Sequence, residues 1–257
     1  MAAIDCISTV RGSGPALFLI HGIGSRRQTW EQIIDALQDE FTCISYDLRG
    51  HGDSPLPDGP FGLDELVEDL EALRARLGIE QAHFAGHSLG GMIGPAYALA
   101  HPERVLSLGL LSTAAFRTED DAAKVMGVVR TMEENGIENT LKTLVSRWFT
   151  DEFVAAQPEL IEARIKQVTD TDPDVFLNVF HIYAETEMSP WLHQVMHPSL
   201  VLTGENDGGC NPRLNQQIAD ALPDAELVIL ENLKHSIMIE ASPLVAEHMK
   251  RFLRAHQ

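Results

Sequence analysis

Gly86-His87-Ser88-Leu89-Gly90-Gly91 is the stretch of this chain that decides the fold. A short apolar segment, residues 83–85, precedes it, and a second apolar segment with helical character, residues 92–100, follows it. A serine between two glycines at the junction of a strand and a helix is the pattern of a nucleophile elbow. The glycines let strand and helix approach closely, and the serine backbone is expected to be strained there. We therefore expect the Ser88 hydroxyl to project above a sheet, at the N-terminus of a helix.

The composition is that of an ordinary globular protein and narrows the range of partners. The chain has 257 residues, of which 44% are apolar and 22% charged. Its 38 acidic residues outnumber its 19 basic ones and give a formal net charge of −19. Nucleic acids and anionic membranes both require a basic surface, so neither is expected as a partner. We expect a small-molecule substrate, and a monomer or a small homo-oligomer.

Cysteine usage and the N-terminus indicate a cytoplasmic protein. Cys6, Cys43 and Cys210 are an odd number without paired spacing, which argues against a disulfide framework. The N-terminus lacks a basic patch followed by an apolar core, and no apolar run reaches ~18 residues. We therefore expect neither a signal peptide nor a membrane-spanning segment.

Strand and helix patterns alternate along most of the chain, which predicts an α/β fold with a mostly parallel sheet. The predicted strands are residues 4–10, 16–20, 41–46, 83–87, 105–112, 199–203 and 226–230. The predicted helices of the alternating part are residues 30–37, 63–78, 92–100, 213–221 and 243–254. The turn at residues 11–15 leads from the first strand into a hairpin or loop.

The alternation stops in the middle of the chain, where only helical patterns occur. These helices are predicted at residues 120–134, 137–148, 159–168 and 174–185. We interpret residues 117–193 as an inserted helical cap, and residues 1–116 and 194–257 as one core domain. An insertion after the carboxyl end of a strand lies over the face where α/β proteins bind ligands.

A serine at such a turn needs a base and a carboxylate to act as a nucleophile. An imidazole must take its proton, and His235 is the histidine that directly follows the last predicted strand. Asp207 follows the preceding strand and is the preferred carboxylate, with Glu205 as its competitor. A carboxylate fixes the tautomer of the imidazole and stabilises the imidazolium as it forms. In α/β proteins with a serine at such a strand-to-helix turn, the three residues follow one another along the chain in the order serine, aspartate, histidine.

Two backbone N–H groups are predicted to bind the negative charge that develops on the substrate oxygen. One belongs to Leu89, the residue after the nucleophile. The other is expected from Ile23, in the glycine-containing loop His21-Gly22-Ile23-Gly24 that follows the second strand. Each such donor lowers the reaction barrier by ~3–4 kcal/mol.

Together these motifs resemble the α/β-hydrolase fold superfamily. The motifs that carry the resemblance are His21-Gly22, the loop Asp47-Leu48-Arg49-Gly50-His51-Gly52-Asp53-Ser54, the elbow, Asp207 and His235. Within the superfamily the chain looks most like 3-oxoadipate enol-lactonases, through residues 86–94, 101–105, 113–115 and 147–173. The resemblance implies a mostly parallel twisted sheet with helices on both faces and an inserted helical cap. Relatives with an aspartate nucleophile are disfavoured, because Ser88 holds that position.

The predicted activity is hydrolysis of a carboxylic ester or a lactone through an acyl-enzyme. Three alternatives stay open from the sequence. The first is a carbon–carbon bond hydrolase of ring-cleavage dienoates, and the second is a cofactor-free perhydrolase. The third is a ligand receptor that keeps a hydrolase-like triad, for which turnover on every ester would fall far below ~1 s⁻¹.

The remaining candidate residues concern substrate and cofactor binding. The candidate substrate-binding residues are Arg26, Arg27, Trp148 and Trp191. The two arginines would hold a substrate carboxylate. The two tryptophans, with Arg147 and Phe149 beside them in the insertion, would line a cavity under the cap. His193 and His197 are four residues apart, but Pro198 breaks any helix there, so no metal site is expected. No glycine fingerprint for phosphate or dinucleotide is present, and no cofactor is expected.

Overall fold

One sheet of seven strands runs through the protein in the computed structural model, which describes residues 2–257. The strands are β1 (Ser8–Arg11), β2 (Ala16–Ile20), β3 (Thr42–Tyr46), β4 (Ala82–His87), β5 (Val105–Leu111), β6 (Ser199–Gly204) and β7 (Ala225–Leu230). They lie in the order β1-β3-β2-β4-β5-β6-β7, and every neighbouring pair is parallel except β1 and β3. The predicted α/β fold class with a mostly parallel sheet is confirmed.

The first strand differs from the prediction in length and in partner. The sequence predicts a strand over residues 4–10, whereas β1 covers Ser8–Arg11 and pairs with β3. Because β3 lies between β1 and β2, residues 11–15 connect two strands that are not neighbours. The segment is therefore a loop and not the turn of a hairpin.

Helices cover both faces of the sheet. The helices are α1 (Glu31–Leu37), α2 (Leu63–Arg76), α3 (Gly90–Ala100), α4 (Glu119–Asn135), α5 (Ile137–Trp148), α6 (Asp151–Ala156), α7 (Pro158–Thr169), α8 (Pro173–Glu185), α9 (Pro212–Ala221), α10 (Ile237–Glu240) and α11 (Ser242–Ala255). The predicted helices are all found, with ends that shift by a few residues. The sequence missed the two short helices α6 and α10, which have too few residues to show a helical period.

Alternate side chains of the central strands point to opposite faces, which explains the continuous apolar run of β2. Leu17 and Leu19 pack with α1 and α11 on one face. Phe18 and Ile20 pack with α2, α3 and α9 on the other face. All four side chains are fully buried, as expected for a parallel strand covered on both sides.

Helices α4–α8 lie between β5 and β6 in the chain and contribute no strand to the sheet. They enclose an apolar cluster of their own, formed by Met132, Leu141, Leu144, Val168 and Phe176. Because the strands around the insertion are parallel, their carboxyl ends meet at one edge of the sheet. The division of the chain into a core and a cap at residues 117 and 193 stays a prediction.

Within residues 2–257, none of the helices combines the length and the apolar character needed to cross a membrane.

Candidate active site

Ser88 occupies the turn between β4 and α3, and its backbone is strained. Its φ of 56° lies in the left-handed region that residues other than glycine rarely adopt. The turn requires glycines on both sides because strand and helix nearly touch. A Cβ atom on Gly86 would overlap the Gly90 carbonyl group, and one on Gly90 would overlap the Ile20 carbonyl oxygen. The strain presents the Ser88 side chain at the start of α3, as the glycine spacing predicts.

Asp207 and His235 form a hydrogen-bonded pair at the ends of β6 and β7. The Oδ2 atom of Asp207 lies 2.7 Å from Nδ1 of His235. The other carboxylate oxygen accepts hydrogen bonds from the N–H groups of Gly209 and Cys210, at 2.9 and 2.8 Å. Asp207 is only 2% exposed. The carboxylate is thus fixed on one side by backbone and offers the other side to the imidazole.

The electrostatics of this pair favour a charged aspartate beside a basic histidine. Burial by itself lowers the pKa of His235, but the charge and hydrogen bond of Asp207 raise it well above the ordinary value. Burial by itself raises the pKa of Asp207, but His235 and the two backbone N–H groups lower it. The imidazole is therefore a stronger base than a free histidine.

Glu205, the competing carboxylate, faces elsewhere. It is exposed, and its Oε2 atom accepts a hydrogen bond from the Asn232 N–H at 3.0 Å. Asp207 is therefore the carboxylate that contacts the imidazole.

Two adjoining chambers open on Ser88 and His235. The small chamber has a volume of about 70 Å³, and Gly22, Ile23 and Arg164 are part of its lining. The large chamber has a volume of about 700 Å³ and extends between α4, α5 and the loop that carries Asp207. The residues that line both chambers are Ser88, Trp148, Phe180 and His235.

The side chains of Ser88 and His235 face the same chambers, although no hydrogen bond joins them within residues 2–257. The predicted oxyanion donors are also placed here. Ile23 lines the small chamber, and Leu89 begins the turn into α3 directly after the serine. Among the described residues neither N–H group has a hydrogen-bond acceptor. Neither N–H group is therefore occupied by an acceptor from the described residues.

Neighbouring histidines serve as neutral hydrogen-bonding groups. His87 donates a hydrogen bond from Nε2 to the His235 carbonyl oxygen at 3.0 Å. Burial, with the nearby His235, lowers the pKa of His87 to about 3. His21 is fully buried and its pKa also falls, chiefly through burial. The bond from His87 therefore holds the His235 backbone in place.

The substrate-binding residues predicted from sequence are distributed between the cavity and other sites. Trp148 lines both chambers. Arg27 instead forms ion pairs with Asp47 and Asp53 and holds the loop at residues 47–54. Trp191 packs against the core of the sheet. Among the described residues, Arg26, Arg27 and Trp191 are not part of the lining of either chamber, and their contact with substrate stays a prediction.

Sequence reasoning named Arg147 as a cavity-lining candidate but missed the other basic residues that line the chambers. Most Lys and Arg side chains pair with a carboxylate within residues 2–257. The chamber-lining ones without such a partner are Arg117, Lys124, Arg147 and Arg164. All four follow β5 and belong to the region of helices, where the sequence gives no sign of the direction in which they point.

Arg117 is the most enclosed cation of the large chamber. Its guanidinium carbon lies 4.4 Å from the ring centre of Tyr183, and Nη1 donates to the Thr186 carbonyl oxygen at 3.0 Å. Its Nε and Nη2 atoms are buried without a hydrogen-bond partner among the described residues. Burial of unpaired donors is unfavourable, so the site is suited to an acceptor group of a ligand.

Asp207, Cys210 and His235 have ligand atoms within 4.8 Å of one another, close enough for a metal ion. These atoms already have partners in the protein. Asp207 and His235 bind each other, and Cys210 Sγ lies 3.2 Å from the Tyr183 hydroxyl. Arg117 lies against the Tyr183 ring, and its positive charge disfavours a metal cation nearby. The arrangement therefore suits proton transfer better than metal binding.

Comparison with known proteins assigns the chain to a family. A family model described as the alpha/beta hydrolase fold matches residues 15–242. Among curated proteins, 3-oxoadipate enol-lactonase 2 of Acinetobacter baylyi is 31% identical over 243 residues, which cover 93% of this chain and 90% of that protein. The sequence-based resemblance to this group is thereby confirmed.

Solved structures support the same fold. An enol-lactonase from Burkholderia xenovorans LB400 superposes with a TM-score of 0.90 at 24% identity, covering 98% of this chain and 99% of that one. A thermophilic esterase from Thermogutta terrifontis gives 0.89 at 24% identity, with 99% and 95% covered. The protein belongs to the α/β-hydrolase fold family.

Proposed function

We propose that this protein is a serine hydrolase that cleaves a carboxylic ester or an enol-lactone through an acyl-enzyme. The observation that carries the proposal is the buried Asp207–His235 pair, which faces the same chambers as a serine in a strained elbow. In this proposal Ser88 is the nucleophile, His235 the general base and Asp207 the carboxylate that orients it.

The proposed reaction has two halves. His235 Nε2 takes the Ser88 proton while Oγ forms a bond to the substrate carbonyl carbon. The carbon–oxygen bond to the alcohol portion then breaks, and the imidazolium returns the proton to that oxygen. A water molecule then gives a proton to the same imidazole while its oxygen attacks the acyl carbon. The bond from that carbon to Ser88 Oγ breaks, and the imidazolium returns the proton to Oγ, which releases the acid and regenerates Ser88. Both halves use only protein groups and water.

The Ile23 and Leu89 N–H groups bind the oxyanion in both halves. Within residues 2–257 neither has an acceptor in the protein, which is what an oxyanion donor requires before substrate arrives. Apo structures commonly lack the nucleophile–base hydrogen bond until substrate binds, so the unpaired Ser88 hydroxyl is compatible with this role. Residues 117–193 act as the cap, since Trp148, Arg164 and Phe180 come from its helices and close the small chamber.

The lining of the large chamber supports a substrate that carries a carboxylate. Arg117, Lys124 and Arg147 have no carboxylate partner among residues 2–257. The acidic residues of the lining, Asp121 and Asp207, are paired with Arg213 and His235. Free positive charge in a chain of net charge −19 concentrates anions at this cavity. Similarity to 3-oxoadipate enol-lactonase 2 supports a lactone over an open ester.

The test is hydrolysis of p-nitrophenyl acetate and of a panel of neutral and carboxylate-bearing lactones by wild type and Ser88→Ala. We expect the serine variant to lose ~10³-fold or more of kcat on every substrate that wild type cleaves. Ser112→Ala is the matched control, because Ser112 is a buried serine with positive φ that lines neither chamber. Equal rates for wild type and Ser88→Ala would end the proposal.

A further inference from the structure

The loop that follows β2 is held by hydrogen bonds to nearly every one of its peptide groups. The Gly22 carbonyl oxygen accepts from His21 Nδ1 at 2.8 Å and from the Ser25 N–H at 3.2 Å. The Gly24 N–H donates to His51 Nε2 at 3.3 Å. His21 and His51 both belong to the sheet side of the molecule, so this side fixes one half of the loop.

Arg164, in helix α7 of the inserted region, fixes the other half. Its Nη2 atom donates to the Ile23 carbonyl oxygen at 3.2 Å, and its Nη1 atom donates to the Gly24 carbonyl oxygen. The peptide group between these two residues is thus held at its oxygen by Arg164 and at its N–H by His51. The Ile23 N–H is left without an acceptor among the described residues and lies at the small chamber.

Arg164 is a charged side chain whose hydrogen bonds to the loop go to neutral carbonyl groups. No carboxylate of the described residues pairs with Arg164, which is half-buried and lines the small chamber. Burial, together with the nearby Arg26, lowers the pKa of Arg164 to about 10. A partly buried cation without a carboxylate partner costs stability, so a role in fold stability alone does not account for Arg164.

Packing ties the loop to the same helices. Gly24 has a φ of +58°, and a Cβ atom there would lie 2.8 Å from the Phe176 ring of α8 and 3.1 Å from Val168 of α7. The two helices therefore lie directly on the loop. A shift of α7 would displace Arg164 from both carbonyl groups that it holds.

We propose that Arg164 is a positioning residue that makes the oxyanion hole depend on the placement of α7. By binding two successive carbonyl groups it sets the orientation of the loop and aims the free Ile23 N–H at the oxygen of the bound substrate. The inserted helices then complete the catalytic machinery in addition to covering it. This inference rests on the proposed function, in which the Ile23 N–H is an oxyanion donor.

A positioning role makes a specific kinetic prediction. An oxyanion donor acts mainly in the transition state, so its misplacement lowers kcat and leaves KM nearly unchanged. Complete loss of one donor costs ~10²–10³-fold in kcat, and we expect a misaimed donor to cost ~10–100-fold. A boronic acid that mimics the tetrahedral state should lose affinity by about the same factor.

The experiment compares Arg164→Met, Arg164→Lys and the control Lys166→Met with wild type on one neutral ester and one carboxylate-bearing ester. Lys166 lies on the same helix and is exposed, in an ion pair with Asp170. We expect Arg164→Met to lose ~10–100-fold in kcat on both esters with KM within about threefold, and to bind the boronic acid correspondingly less tightly. Lysine keeps the charge but lacks the planar fork, so Arg164→Lys should recover only part of the rate.

Several results would overturn the positioning role. An unchanged kcat in Arg164→Met would do so, as would a loss of kcat without weaker boronic acid binding. A rise in KM confined to the carboxylate-bearing ester would mean that Arg164 binds substrate instead. If the methionine variant fails to fold, Arg164→Lys is judged by the same kcat, KM and boronic acid criteria. Failure of the proposed function is distinguished by two other results: wild type would cleave neither ester, or Ser88→Ala would cleave both as fast as wild type.

Discussion

Replacement of Asp207 by asparagine removes the negative charge from the candidate site without changing its shape. The asparagine oxygen can still accept from the N–H groups of Gly209 and Cys210, which now bind Oδ1 of the carboxylate. Its amide nitrogen would then face His235 Nδ1, where the carboxylate oxygen lies 2.7 Å away. Since an amide N–H donates, the imidazole must accept at Nδ1 and carry its proton on Nε2. In that tautomer it cannot take the Ser88 proton.

The expected loss follows from this wrong tautomer and from the lost stabilisation of imidazolium. In a Ser-His-Asp site the same substitution lowers kcat by ~10⁴-fold, which corresponds to ~5.5 kcal/mol of barrier. Asp207 is 2% exposed, so bulk water cannot substitute for the missing carboxylate oxygen. The pKa of His235 should also fall, because the Asp207 charge and hydrogen bond are what raise it against burial.

The assay is steady-state hydrolysis of the best ester or lactone between pH 5 and 10, with wild type, Asp207→Asn and Glu205→Gln. Glu205 is a matched control because it lies in the same loop, is exposed and contacts Asn232 rather than the imidazole. We expect Glu205→Gln to retain kcat within about threefold, since surface substitutions usually have small effects. A kcat for Asp207→Asn within tenfold of wild type, in a folded protein, would refute the proposed role of the pair.

Three further predictions concern pH, the elbow and the buried ion pair. His235 must be neutral to act as the base, and its pKa is raised, so kcat/KM should increase with pH and reach half its maximum above pH 6.5. A midpoint below pH 6 would contradict the raised pKa of His235. Gly86→Ala should abolish soluble folded protein or active-site labelling, because the added Cβ would overlap the Gly90 carbonyl group. A variant with the melting temperature and activity of the wild type would contradict this. Arg49→Met leaves Asp69, which is 1% exposed, without its charged partner. Urea titrations should therefore show a free energy of unfolding that is lower by ~3–5 kcal/mol, and a loss below ~1 kcal/mol would contradict this.

The sequence was sufficient to predict most of the fold because the relevant patterns are local. Residues 16–20 are apolar at every position, which occurs when a strand is covered on both faces, and β2 is such a strand. Ser88, Asp207 and His235 could be singled out because each lies in the segment that follows the carboxyl end of a strand. In a parallel sheet the ends of such strands meet, so chain order already predicts spatial proximity.

The missed features depend on contacts between distant segments. Arg117 and Arg164 look in sequence like other charged residues of amphipathic helices, and only the packing of those helices turns them toward the chambers. Arg27 follows the loop that carries Ile23, and its position in the sequence suggested a contact with substrate. In the structure Arg27 forms an ion pair with Asp47 instead. The pairing of β1 with β3 also depends on contacts between distant segments, and residues 11–15 alone do not predict it.

Covalent labelling reports whether Ser88 is the activated nucleophile. A fluorophosphonate reacts with a serine only where a base activates it and an oxyanion hole receives the phosphoryl oxygen. Peptide mapping by mass spectrometry after labelling should locate one adduct on Ser88, with labelling lost in Ser88→Ala and His235→Ala. An enzyme that hydrolyses esters while Ser88 stays unmodified, or that carries the adduct on another residue, would contradict the account.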